Sequence, residues 1–244
     1  MKNTISNNKK LWDRDYKWIK DGDEWDGQAR YCGHLYENWK NSLIETLILP
    51  YLKNTTNALE IGCGHGRWSK ILSENVTSLI LIDVSPSCID FCKNILKGES
   101  NLTYIVNSGK SLEGVDSDSV DFIWSYDSFV HMDKKVINAY IIEIARVLKS
   151  NGIAIIHHAG RNNNFLWLGF TRHWGNWGRN FYKIISMRRL KDHDGWRSNI
   201  SRANIRNFAF VNHLQVVDQI QFWDVRKLYG VPRFNDCITI LRAN

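Results

Sequence analysis

The 244-residue chain has no apolar run near the roughly 20 residues that cross a bilayer. Its polar start, Met1-Lys2-Asn3-Thr4-Ile5-Ser6-Asn7-Asn8, lacks the apolar stretch of an export signal. Spanning and secreted classes are therefore disfavoured, and a cytoplasmic location is expected. Cysteine is sparse and odd in number: Cys32, Cys63, Cys88, Cys92 and Cys237 include no C-x-x-C pair. That pattern argues against a disulfide framework and against a zinc knuckle, and suits a reducing compartment. With only three prolines (Pro50, Pro86 and Pro232) and neither repeats nor low-complexity tracts, the chain reads as one domain with a leader and an internal insertion.

What is present points to a packed, soluble-type core. Hydrophobic residues make up 43% and charged residues 23%, the balance of a globular chain. The length suits one sizeable α/β domain with roughly forty residues to spare for a substrate-binding insertion. A net charge of +7 favours an anionic partner without choosing between an acidic small molecule, a glycan, nucleic acid and a membrane surface. Many of the eleven tryptophans fall outside the strand-like segments, in the leader and between Trp167 and Trp196, so flat apolar faces are needed there.

Four segments follow from the pattern: a helical leader or cap over 1–56, a core over 57–159, a basic aromatic insertion over 160–200, and a C-terminal helix with closing strands over 201–244. In the leader, Leu35, Trp39, Leu43, Leu47 and Leu49 recur at helical spacing, predicting a helix from His34 to Leu52 that ends near Pro50. From Asn57, short apolar runs alternate with amphipathic helices, the mark of parallel βαβ units. Predicted strands are Ala58–Ile61, Leu79–Ile82, Leu102–Val106, Val120–Trp124, Ile153–His157, Gln215–Phe222 and Cys237–Leu241. Ser85-Pro86, Asp133 and Ser201 are placed to open helices. The expected fold is a Rossmann-like, mostly parallel seven-stranded sheet with helices on both faces and an antiparallel last strand.

The run Leu59-Glu60-Ile61-Gly62-Cys63-Gly64-His65-Gly66-Arg67-Trp68 follows a strand and opens a helix, so backbone can approach a ligand where side chains would obstruct it. Its spacing is G-x-G-x-G, not the G-x-G-x-x-G of dinucleotide binders, and Glu60 precedes the first glycine by two positions, where a carboxylate suits an ammonium group. Asp83 closes the next strand, twenty-one positions after Gly62, where an acid meets ribose hydroxyls.

In Glu60-Ile61-Gly62-Cys63-Gly64-His65-Gly66, in Ile82-Asp83 and in Val120-Asp121-Phe122-Ile123-Trp124-Ser125-Tyr126-Asp127, the chain resembles the class I S-adenosylmethionine-dependent methyltransferases over roughly residues 57–159. The resemblance implies that S-adenosylmethionine is bound, and S-adenosylhomocysteine released, by Glu60, Gly62, Cys63, Gly64, Gly66 and Trp68. It adds Asp83 with Val84 and Ser85, Asn107 with Ser108 and Gly109 beside adenine, and Tyr126 over the methionine end. Asn107-Ser108-Gly109 replaces the acid-containing loop common after the third strand, leaving the Asn107 amide oxygen as the available acceptor there.

Methyl transfer to a hydroxyl benefits from a base, and His131 lies just beyond the fourth strand, at the sheet edge where ligands collect. His157 and His158 end the fifth strand and, being adjacent, point to opposite faces, so at most one serves catalysis. No carboxylate has telling spacing with these histidines, and no metal is expected. A second resemblance, to a bacterial methyltransferase branch associated with polysaccharide and O-antigen clusters, spans nearly the whole chain. It rests on Gly22-Asp23-Glu24-Trp25, Gly66-Arg67-Trp68, Asn107-Ser108-Gly109-Lys110-Ser111-Leu112, Tyr126-Asp127-Ser128-Phe129-Val130-His131, Ile156-His157-His158, Gly195-Trp196-Arg197-Ser198 and Asp236-Cys237. It implies O-methylation of a sugar, with an anionic or lipid-linked glycan acceptor, and contact with the inner membrane surface or glycan-assembly enzymes.

Trp25, Tyr31, Asp127, Arg161, Trp196 and Arg197 are the candidates for holding that acceptor, Arg197 foremost as an anion contact. Competing readings are a methyltransferase of small amines or phospho-bases, and a silent cofactor-binding partner in a glycan-assembly complex. Ser125-Tyr126-Asp127 lacks the proline-containing signature used on base amines, so nucleic acid is not expected as a partner.

Overall fold

A computed structural model describes residues 4–18, 26–160 and 197–244. The predicted insertion thus falls largely outside the described residues. Seven strands form one sheet: β1 (Asn57–Ile61), β2 (Ser78–Asp83), β3 (Leu102–Val106), β4 (Val120–Ser125), β5 (Leu148–Ala159), β6 (Leu214–Ile220) and β7 (Asp236–Ala243). Their order is β3-β2-β1-β4-β5-β7-β6, and β7 runs antiparallel to both its neighbours. The expected Rossmann-like sheet with an antiparallel last strand is what forms.

Helices follow from capping and periodicity. They are α1 (Ile5–Lys10), continued as a π-turn over Leu11–Asp15, then α2 (Gly27–Tyr31), α3 (Tyr36–Leu43), α4 (Leu49–Leu52), α5 (Ser69–Ser73), α6 (Pro86–Ile95), α7 (Lys134–Val147) and α8 (Arg202–Val211). Ser85 accepts from the Cys88 N–H with Pro86 in the first turn of α6, and Asp133 accepts from Lys135 and Val136. Ser201 and Asn204 form a reciprocal cap on α8. The single helix predicted over 34–52 is instead α3 and α4 joined by a π-turn, Ile44–Ile48. Pro50 has no N–H for a regular i to i−4 bond, and the ladder before it loosens so that Leu49 donates to Ile44.

Central strands are buried on both faces, as parallel strands flanked by helices must be. On one face Leu59, Ile61, Ile123, Ala154 and Ile156 pack against α7 and α8. On the other, Ala58, Phe122, Trp124 and Ile155 pack with Trp39, Leu43 and Leu47 from α3 and its π-turn, and with Trp68. Between β1 and β4 the strand order reverses. The carboxyl ends of the strands open there into a crevice, the place where such sheets take ligands. Among the described residues, no helix is long and apolar enough to cross a membrane.

Candidate active site

The crevice is a cleft enclosing about 1010 Å³ of space, its open mouth included. One wall is backbone. Gly62, Gly64 and Gly66 have φ of 74°, 53° and 77°, a region costly for residues with a side chain. A Cβ at Gly62 would also run into the Ser128 hydroxyl from the facing wall. Asp83 fastens this turn: its carboxylate accepts from the Gly64 N–H at 3.0 Å and the Ser85 N–H at 2.9 Å. Burial raises the pKa of Asp83, opposed by hydrogen bonds from the Ser85, Gly64 and Val84 N–H groups.

Gly62, Cys63, Gly64, Trp68, Asp83 and Val84 line the cleft, as do Asn107, Gly109, Tyr126, Asp127 and His131. Other expected positions are placed otherwise or serve another role. Glu60 is buried behind the glycine turn, where it accepts from the Ser69 hydroxyl at 2.6 Å, and burial pushes its pKa up to about 8. The carboxylate assigned to an ammonium group is thus a turn-to-helix brace. Gly66 faces α6, Ser85 caps α6, and Ser108 is solvent-exposed with its hydroxyl on Ser111. The Asn107 amide oxygen is taken by the Gly109 N–H at 3.2 Å while its nitrogen holds Tyr140, so Asn107 shapes the loop it lies in. Tyr31 is half exposed on α2, away from the cleft lining. Trp25, Arg161 and Trp196 lie outside the described residues.

The leader supplies side chains that sequence reasoning did not place here: Ile5, Asn8, Trp12 and Trp18 all line the cleft. Asn8 donates to the His131 carbonyl at 2.8 Å, and Trp12 meets the His131 ring edge-on at 5.3 Å. Trp18 stacks on His65 at 3.9 Å, and His65 on Phe91 at 3.8 Å, pinning the leader over the glycine turn. Asp13 accepts from the Ser85 hydroxyl and the Ser87 N–H at the start of α6. The tryptophans of the leader were the available signal; their partners His65 and His131, 47 and 119 positions away, were not.

The second wall is a chain of charges. Arg67, with only 7% of its side chain exposed, donates to Asp127 at 3.0 Å and to the Tyr36 hydroxyl at 2.8 Å. His157 stands between two carboxylates, its Nδ1 3.3 Å from Asp127 and its Nε2 3.4 Å from Asp236. Arg197 closes the chain on Asp236 at 3.0 Å, and Gln28 donates to the same oxygen. Asp127 adopts φ of 59° and its N–H points at His157 Nδ1, so this strained residue is fixed from three sides.

Burial disfavours the charged form of His157, but the hydrogen bonds it donates to the Asp127 and Asp236 carboxylates, and their attraction, outweigh it and raise its pKa. Burial likewise raises that of Asp127, and the pull of His157, Arg67 and Arg197 more than reverses it. His157 stacks on Tyr126 at 4.3 Å and has no exposed surface, which makes it a support for the cleft wall. Arg67 and Asp236 were not among the expected site residues.

His158 is corrected outright. It faces α7 and α8 with both ring nitrogens engaged, by the Ala159 carbonyl at 2.8 Å and Thr239 at 2.6 Å, and burial drives its pKa down to about 3. A neutral, fully enclosed imidazole on that face has no route to an acceptor. His131, by contrast, lines the cleft at 7% exposure beside Met132 and Ser128.

Residues 58–152 match a family model described as a methyltransferase domain. No curated protein matches the chain by sequence. Among solved structures, the N-methyltransferase NodS of Bradyrhizobium japonicum WM9, in complex with S-adenosylhomocysteine, superposes with a TM-score of 0.61 at 16% identity, covering 100% of this chain and 99% of that one. Magnesium protoporphyrin IX methyltransferase (ChlM) of Synechocystis PCC 6803, with the same bound product, gives 0.59 at 16% identity over 98% and 95%. A sarcosine dimethylglycine methyltransferase assignment from Galdieria sulphuraria gives 0.55 at 17% over 84% and 83%. At these identities the likeness is one of fold.

The matched domain and the glycine-and-acid cleft at its switch point define the class: an S-adenosylmethionine-dependent methyltransferase. The residues present fit that cofactor. The turn at Gly62 and Gly64 is bare where a Cβ would obstruct it, and Asp83 lines the cleft with acceptor capacity left for a ribose hydroxyl beyond the N–H groups it binds.

Proposed function

We propose that the chain is an O-methyltransferase acting on a sugar hydroxyl, in a bacterial surface-polysaccharide or glycolipid precursor, with His131 as the base. S-adenosylmethionine, when bound, supplies the electrophilic methyl group. The observation that carries the reading is the composition of the cleft wall. Among its described lining residues the only carboxylates are Asp83 and Asp127, and Asp127 is already paired with Arg67 and His157. A cationic amine would find no uncommitted carboxylate there, whereas a hydroxyl would find the imidazole of His131 with the hydroxyls of Ser128 and Tyr126.

His131 would take the hydroxyl proton as the oxygen advances. The walls around it, Trp12, Met132 and Val136, limit water and hold the acceptor oxygen in line. The resemblance to the sugar-modifying branch, carried by phrases such as Tyr126-Asp127-Ser128-Phe129-Val130-His131, favours a glycan acceptor.

A second reading, a small-amine methyltransferase, draws on Trp12, Trp18 and Trp68 in the cleft, since aromatic faces attract cations. The two separate when the enzyme is incubated with methyl-labelled cofactor and fractionated cell-envelope precursors and the label is located by mass spectrometry. Label on a sugar oxygen supports the proposal; label on nitrogen, or on no glycan fraction, rejects it.

A further inference from the structure

Where the charged wall ends, two arginines have buried donors that no other group engages. Arg197 gives Nη2 to Asp236, while its Nη1 is buried without a hydrogen-bond partner; the Nε of Arg202 is buried and unpartnered as well. No ion pair among the described residues involves Arg202. Unmatched buried donors of this kind are costly and call for an occupant.

Both side chains reach the same stretch of backbone. The Arg197 guanidinium lies 4.6 Å from the centre of the Phe234 ring, and Arg202 Nε comes within 3.3 Å of where a Cβ on Gly160 would stand. Gly160 and Asn235 are joined by two hydrogen bonds, of 2.9 and 3.0 Å. Stacking occupies the face of a guanidinium and leaves its edge donors available for a planar or tetrahedral oxyanion.

Phe234 and Asn235 hold φ of 62° and 59°, a strained pair that brings the ring beneath Arg197. The charges here are Arg197, Arg202 and Arg233, whose guanidinium lies 4.5 Å from the centre of the same Phe234 ring, against Asp236, an excess of two positive charges before His157 beside Asp236 is counted. Asp236 Oδ1 is also buried and unpartnered, and it accepts only. The unpartnered atoms thus offer donors to an anion and an acceptor to a neighbouring hydroxyl. They connect to the cleft through Asp236, His157 and Asp127.

We infer that Arg197 and Arg202 form a subsite for the oxyanion of a hydroxylated acidic acceptor, a sugar carboxylate or sugar phosphate, whose adjacent hydroxyl is read by Asp236. This inference rests on the sugar reading above and narrows it to acidic sugars. The test follows the arginine Nε–H signals by NMR in protein saturated with S-adenosylhomocysteine, during titration with glucuronate, glucose 6-phosphate, glucose, or sodium chloride at matched ionic strength.

Saturable shifts of Arg197 and Arg202 with glucuronate, glucose 6-phosphate or both support the subsite, and which one acts tells carboxylate from phosphate. Arg197→Gln and Arg202→Gln each weaken that binding at least about tenfold while S-adenosylhomocysteine affinity stays within about twofold. Arg202→Gln disturbs no observed ion pair and serves if Arg197→Gln fails to fold. Shifts with glucose or chloride equal to those with the acids, or no shift at all, overturn the inference. Because bound S-adenosylhomocysteine is a condition of the experiment, its failure to bind would count against the methyltransferase reading instead.

Discussion

The wall of the cleft at β1 and β2 is made of backbone, held by one carboxylate, whereas the wall at the ends of β4, β5 and β7 is made of side chains that neutralise one another in series. The first arrangement tolerates little change: a methyl group at Gly62 collides with Ser128, and Asp83 holds the backbone N–H groups of Gly64 and its own turn. The second distributes its load over Arg67, Asp127, His157, Asp236 and Arg197. A binding surface common to many reactions is suited to the first construction, and an acceptor surface that must vary is suited to the second.

Perturbing each wall separates binding from transfer. The largest expected effect is in the backbone wall: Asp83→Ala lowers S-adenosylhomocysteine affinity by more than about 100-fold in calorimetry, since both the diol acceptor and the brace on Gly64 are lost. In the facing wall, His131→Ala slows transfer by about 10²- to 10⁴-fold in turnover assays and leaves cofactor affinity within about threefold. Unchanged turnover would remove His131 as the base.

Glu60 tests the support behind the glycine turn. Its pKa rises on folding from the ordinary carboxyl range to about 8, so the folded state binds the extra proton and stability falls as pH rises from about 4.5 to about 8. Glu60→Gln keeps an acceptor for Ser69 and removes the ionisable group. Thermal unfolding of that variant is expected to lose this downward slope, on the order of a kcal/mol per pH unit, and to exceed the wild type at pH 8. The smallest effects belong to expected site residues that the fold places outside the cleft. Tyr31→Ala and Ser108→Ala should each leave cofactor affinity and turnover within about twofold.

The seven strands and the caps of α6, α7 and α8 were legible because they are set by local periodicity and by residues three or four positions apart. The glycine turn and Asp83 were legible because one strand-turn-helix unit and its neighbour contain them. The π-turn before Pro50 was not, since helical spacing alone does not report the missing N–H. Glu60 was in the right segment with the wrong orientation: it is buried beside Ser69, and only the three-dimensional turn shows which way its side chain leaves the strand. The Arg67–Asp127–His157–Asp236–Arg197 chain joins residues 30 to 80 positions apart on two strands and three loops, and spacing in one sequence carries no record of such pairings.

Calorimetric titration of the wild-type chain with S-adenosylhomocysteine tests the central claim most directly. Saturable binding of one molecule per chain, abolished by Asp83→Ala, is the predicted result. An absence of binding heat, or affinity indifferent to the loss of Asp83, would contradict the account.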